Sequence, residues 1–117
     1  MNLYAEARDG ALVVRLEEER LDAAVAIRFK DQMREIASQP APRVILDLSC
    51  VLFLDSSGLG AIVSVMKSLT PGRKLELAGL TPNVEKVFRL TRMDSVFTIH
   101  TDTGAAGLRT KGMRDAG

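Results

Sequence analysis

The chain has 117 residues, inside the roughly 100–200 typical of one domain, so a single domain is expected and a second catalytic domain is not. With 46% hydrophobic and 26% charged residues, it carries enough apolar mass to offset the entropy of ordering, which argues for a packed core rather than disorder. Sixteen Lys and Arg against fifteen Asp and Glu leave a net charge of +1, and the pI of 7.9 lies below the roughly 9 of a basic nucleic-acid binder, so no direct nucleic-acid partner is expected.

Leu3 to Ala7 and the run Ala11-Leu12-Val13-Val14-Arg15-Leu16 flank the turn signal Asp9-Gly10, the pattern of a β-hairpin. From Asp22, read as an N-cap, Val25, Phe29, Met33 and Ile36 recur at helical spacing, with Arg28, Lys30, Asp31, Arg34 and Glu35 mostly between them. That predicts an amphipathic helix, which Pro40 and Pro42 stop. Arg43 to Leu48 is nearly continuous in apolar residues, as in a strand covered on both faces. Val51-Leu52-Phe53-Leu54 leads into Asp55-Ser56-Ser57-Gly58-Leu59-Gly60. A second helix follows, with the wide apolar surface of Ile62, Val63, Val65, Met66 and Leu69, and breaks at Thr70-Pro71-Gly72.

Lys74-Leu75-Glu76-Leu77-Ala78 alternates with period two and predicts a half-exposed strand. Thr81 as N-cap and Pro82 at the first helical position start a third helix, with Val84, Val87, Phe88 and Thr91 as its inner stripe. Met93 to Ile99 supplies a last short strand around Val96 to Ile99. The segment 103–117 contains Gly104, Gly107, Gly112 and Gly117 and reads as a Gly-rich tail with at most one short helix, over Thr103 to Leu108. Strands that alternate with helices give an α/β domain over residues 1–102, with helices packed on a mixed sheet of four to five strands.

Cys50 is the only cysteine and His100 the only histidine, which excludes a disulfide framework and leaves too few soft ligands for a structural zinc site. No metal or cofactor is expected. Met1 to Gly10 carries Glu6, Arg8 and Asp9 and lacks the apolar centre of a secretory leader. No apolar run approaches the roughly 18 residues of a membrane helix, so the chain is expected in the cytoplasm without membrane insertion.

The densest cluster of unusual residue choices is Asp55 to Gly60. Capping by Asp55 or Ser56 accounts for one polar residue there but not for the whole hexapeptide. Phosphate binding is a weaker reading, because the Gly-Lys-Ser/Thr ending of a P-loop and the Gly-x-Gly-x-x-Gly of a dinucleotide site are both missing. A serine hydrolase fits poorly too: neither serine has glycines two positions to each side, and His100, read as a surface or capping residue, is the only imidazole. A third reading makes the serine a target of modification. A hydroxyl at an exposed helix N-terminus is accessible, and the helix dipole tolerates an added phosphoryl group.

Leu52-Phe53-Leu54-Asp55-Ser56-Ser57-Gly58-Leu59-Gly60 resembles the signature of the STAS-domain anti-sigma factor antagonists. Arg20-Leu21-Asp22-Ala23 is similar to that family's Leu-Asp turn before its first helix, and Leu80-Thr81-Pro82 with Val84, Val87 and Phe88 to a third family segment. The resemblance implies a partner switch without catalysis by this chain. The unmodified antagonist binds an anti-sigma factor serine kinase; phosphorylation of Ser56 ends the binding, and a serine phosphatase restores it. It assigns Ser56 as phosphoacceptor, Asp55, Ser57, Gly58, Leu59 and Gly60 as its support, with Gly58 and Gly60 allowing close backbone approach, and Asp22 as a partner contact; the wide apolar surface of the second helix adds Leu59 and Val63 as partner contacts. The alternative is a constitutive STAS subunit of a transport or other multiprotein assembly. Two departures from the family stand out: Glu17-Glu18-Glu19-Arg20 replaces a Gly-containing turn and reads as a solvated loop, and the tail is poorer than the family's last helix.

Overall fold

The computed structural model describes residues 1–107. Asp9 and Gly10 both adopt positive φ, 46° and 80°, the backbone that joins two twisted strands by a two-residue turn. They connect β1 (Leu3–Arg8) to β2 (Ala11–Leu16) as an antiparallel hairpin. β4 (Arg43–Asp47), β6 (Lys74–Ala78) and β7 (Thr98–His100) then add in parallel, giving a five-stranded mixed sheet in the order β1-β2-β4-β6-β7. Between them lie α1 (Ala26–Ile36), α2 (Ser56–Leu69) and α3 (Pro82–Leu90).

The period of two along each strand sorts the side chains between two faces. Leu12, Val14, Val44, Leu46, Leu75 and Leu77 meet Phe29 and Met33 of α1, Ile62 and Val65 of α2, and Val84 and Phe88 of α3 in one core. Phe97 closes that core edge-on against Phe88, with ring centroids 5.8 Å apart. The opposite face carries a small cluster of Ala11, Val13, Ile45 and Ala78, covered by Ala106 from the turn at Thr103–Gly107. The remainder of the Gly-rich tail, from residue 108, lies outside the described residues.

The hairpin, the three helices and the α/β sheet agree with the sequence reading, and local assignments change at Asp22, β6, His100, the last strand and Thr91. Asp22 does not cap α1: the helix starts after Val25 without a side-chain cap. Instead the Asp22 carbonyl accepts from the Val25 and Ala26 N–H groups at 3.1 and 2.9 Å, and its Oδ1 from the Ala24 N–H at 3.1 Å. A turn intervenes because Arg20–Leu21 (β3) is held extended by a parallel pairing with Phe53–Leu54 (β5).

β6 is buried on both faces, and Glu76 is only 3% exposed. Its carboxylate accepts from Arg43 Nε and Nη2, each at 2.7 Å, and its Oε1 lies 2.7 Å from His100 Nε2. His100 is thus a strand-to-strand partner, and Arg43 also donates to the Ala106 carbonyl at 3.0 Å. The paired cation and imidazole satisfy a carboxylate that burial alone would exclude.

Met93–Ser95 forms a 3-10 turn, so the last strand is confined to Thr98–His100, with Val96 exposed. Thr91 is exposed at the end of α3, its hydroxyl donating to the Val87 carbonyl at 2.6 Å rather than joining the inner stripe. Thr81 is the N-cap residue of α3 as expected, its carbonyl accepting from the Glu85 N–H at 2.8 Å, while its hydroxyl donates to the Val51 carbonyl at 2.6 Å and makes no capping bond to the helix.

Candidate functional site

The site begins with the β3–β5 bridge. Leu21 and Leu54 pair and point inward, both buried; Arg20 and Phe53 pair and point outward. The Arg20 guanidinium lies 4.2 Å from the Phe53 ring centroid, a cation–π contact on the surface. The chain leaves β5 at Asp55, whose extended backbone caps α2.

Both carboxylate oxygens of Asp55 are used. Oδ1 accepts from the Gly58 N–H at 2.9 Å, and Oδ2 from the Ala23 N–H at 3.4 Å. One oxygen satisfies an orphan donor of the helix; the other ties the loop after β3 to the helix start. Asp55 therefore fixes the backbone on which the next residue sits. Ser56 is the first residue of α2, exposed, and its hydroxyl makes no hydrogen bond among the described residues. Ser57 is exposed beside it. The site thus presents a free hydroxyl from a rigid frame.

Gly58 and Gly60 have different surroundings. A Cβ on Gly58 would meet the Leu21 carbonyl oxygen at 2.1 Å and Leu54 Cδ1 at 2.8 Å, so only glycine lets α2 lie this close to β3. A Cβ on Gly60 would meet nothing within 4 Å. The close approach expected of both glycines is therefore, within this chain, confined to Gly58; Gly60 leaves a bare spot on an exposed surface. Leu59 and Val63 are half-buried against the core edge.

Asp22 lies across the Ala23–Ala24 turn from Asp55, its Oδ2 3.2 Å from Arg20 Nε. The Glu17–Glu19 loop is more tied down than a merely solvated run. Glu17 pairs with Arg15, Glu18 accepts from the Asn2 N–H at 2.8 Å, and the Glu19 carbonyl accepts from the Leu52 and Phe53 N–H groups at 2.8 and 3.0 Å. These bonds dock the acidic loop on β5. The neighbourhood of Ser56 also holds two surface features that sequence reasoning missed, the apolar side chains Leu52 and Phe53, 52% and 40% exposed, and Arg20. The signal was the outward phase of Arg20 and Phe53, legible only once the pairing of their two-residue strands is known.

A family model described as the STAS domain matches residues 2–106. The chain belongs to the STAS domain family. Among curated proteins it is similar to BtrV of Bordetella bronchiseptica, named as an anti-sigma factor antagonist, with 28% identity over 112 residues covering 95% of this chain and 96% of that one. Among solved structures, an anti-sigma factor antagonist from Mycobacterium paratuberculosis superposes with a TM-score of 0.80 at 22% identity, covering 91% of each chain. The anti-sigma factor antagonist SpoIIAA in its unphosphorylated form gives a TM-score of 0.69 at 24% identity, covering 97% of this chain and all of that one. Among the described residues no helix is long and apolar enough to cross a membrane.

Proposed function

We propose that this chain is an anti-sigma factor antagonist in a partner switch: unmodified, it binds an anti-sigma factor serine kinase, and phosphorylation of Ser56 releases it. The observation that carries the reading is the free Ser56 hydroxyl at the start of α2, held by Asp55 beside the exposed Leu52 and Phe53. Asp22, Leu59 and Val63 contribute partner contacts, and the chain is a ligand and phosphoryl acceptor rather than a catalyst. In the modification step Ser56 Oγ attacks the γ-phosphorus of ATP. An Oγ–P bond forms as the β–γ bridge breaks, ADP leaves, and the hydroxyl proton passes to a base of the kinase. A serine phosphatase reverses the state by hydrolysis.

The phosphoryl group brings about −1.5 to −2 charges. In the free protein the N-terminal dipole of α2 favours that charge, so the fold survives. In the complex the same charge is desolvated beside Asp55, at a cost of roughly 3–5 kcal/mol by analogy with a broken buried pair. At about 1.4 kcal/mol per decade, affinity falls by two to three orders of magnitude.

The test is to recover the chain with its partners from its own cells and to incubate it with the recovered kinase and ATP. Mass spectrometry should find one phosphate on Ser56, and Ser56→Ala should remain unmodified and bound. Phosphate elsewhere, or equal modification of Ser56→Ala, overturns the reading. Recovery of a transport ATPase in place of a kinase favours the constitutive-subunit alternative.

A further inference from the structure

The surroundings of Ser56 are acidic. Residues 1–60 hold seven basic against ten acidic side chains, and Glu17, Glu18, Glu19, Asp22 and Asp55 lie on the loops that bracket the start of α2. Arg15 is already paired with Glu17, and the first turn of α2 carries no charged side chain. Arg20 is the one cation on the β3–β5 bridge that leads into the site. Its side chain is 62% exposed and makes two surface contacts, the 3.2 Å pair with Asp22 and the 4.2 Å stack on Phe53. Neither contact buries it, so it can swing without disturbing the core.

The pairing geometry sets its reach. β3 and β5 run parallel with Arg20 opposite Phe53 and Leu21 opposite Leu54. The next residues after the two strands are Asp22 and Asp55, and Asp55 Oδ2 accepts from the Ala23 N–H at 3.4 Å. Ser56 follows Asp55 directly, so its hydroxyl issues one residue beyond the position that lies across the end of the bridge from Asp22, the carboxylate Arg20 already approaches. A phosphate dianion offers three acceptor oxygens and more charge than the Asp22 carboxylate, and a guanidinium fork matches it bidentately.

Taking Ser56 as the phosphoacceptor proposed above, we infer that Arg20 is the intrachain counter-ion of the phosphorylated state: it leaves Asp22 and the Phe53 ring to pair with the phosphate on Ser56. Phosphorylation then changes the docking surface twice. It adds charge at the start of α2, and it strips the cation from an aromatic face on the neighbouring strand. Arg20 is a positioning residue that reads the modification and carries no role in making it.

The experiment uses the full chain with phosphoserine incorporated at position 56 during synthesis, so it is independent of whether a kinase modifies Ser56 in cells. Phosphorus NMR titration reads the second ionisation of the phosphate in the otherwise unchanged protein, in Arg20→Met and in a control, Arg89→Met. A paired guanidinium favours the dianion, so the phosphate pKa should lie about half a unit or more lower with Arg20 present than in Arg20→Met. Arg89→Met should match the unchanged protein. Proton NMR supplies a second readout: the Arg20 δ-methylene, shifted by the Phe53 ring in the unmodified chain, should lose that shift on phosphorylation. Equal phosphate pKa values with and without Arg20, or a ring-current shift that persists, overturn the inference. Failure of the kinase assay on Ser56 overturns the functional reading instead and leaves these measurements standing.

Discussion

Glu76 gives the sharpest test of what holds the sheet together. It sits on β6 with a side chain only 4% exposed, bonded to Arg43 through both oxygens and to His100 through one. The hydrogen bonds from Arg43 hold its carboxyl well below the ordinary carboxylate range, from 4.5 down to about 2, against the opposing effect of burial; His100 adds to the depression. A shift of that size is worth about 3 kcal/mol at about 1.4 kcal/mol per unit. Because the folded value is depressed, the stabilisation is fully present above the unfolded value near 4.5 and is lost as pH falls towards about 2. Urea unfolding followed at pH 7, 5, 4 and 3 should therefore show a steep acid loss. Glu76→Gln removes the charge and leaves the Arg43 guanidinium, a third exposed, without its anion, so it should cost about 1.5–3 kcal/mol at pH 7 as lost charge-assisted hydrogen bonds. The variant should also flatten the acid slope by up to about 3 kcal/mol between pH 5 and 2. An unchanged slope in Glu76→Gln would refute the assignment of this ion pair as the main source of acid sensitivity.

The two glycines of the site should separate cleanly. Gly58→Ala drives a methyl into the Leu21 carbonyl, a backbone obstacle that cannot rotate away, and should cost about 1–3 kcal/mol in urea unfolding. Gly60→Ala meets open space and should gain up to about 1 kcal/mol from helix propensity; a variant that unfolds more easily would contradict that geometry. Asp55→Ala should cost about 0.5–2 kcal/mol as a lost cap. Faster hydrogen exchange at both the Gly58 and Ala23 amides would register the two bonds of its carboxylate separately.

What the sequence disclosed follows from the range of the forces involved. The Asp9-Gly10 turn, the apolar stripe of Phe29 and Met33 and the Pro82 start of α3 are local signals, and each reappears where the pattern placed it. Glu76 misled because period two means half-exposure only if nothing covers the second face. Here Arg43, 33 positions earlier in the chain, and Ala106 supply the cover. Asp22 misled for a similar reason. A good capping residue before an apolar stripe normally starts the helix, but the pairing of Arg20–Leu21 with Phe53–Leu54 holds the chain extended just before it, and four residues are spent in turning.

That same two-residue bridge explains why the candidate site was only half legible. The hexapeptide from Asp55 to Gly60 carried its hydroxyl and its cap openly. What surrounds the hydroxyl depends on a strand too short to show periodicity and on a contact between residues more than thirty positions apart. The bridge also makes the site sensitive to charge without making it fragile. Leu21, Leu54 and Gly58 form its buried side and keep the frame, whereas Arg20, Asp22, Phe53 and Ser56 are on its outer side. A charge added at Ser56 therefore acts on side chains that can re-pair in water, and its cost falls on whatever docks there rather than on the fold.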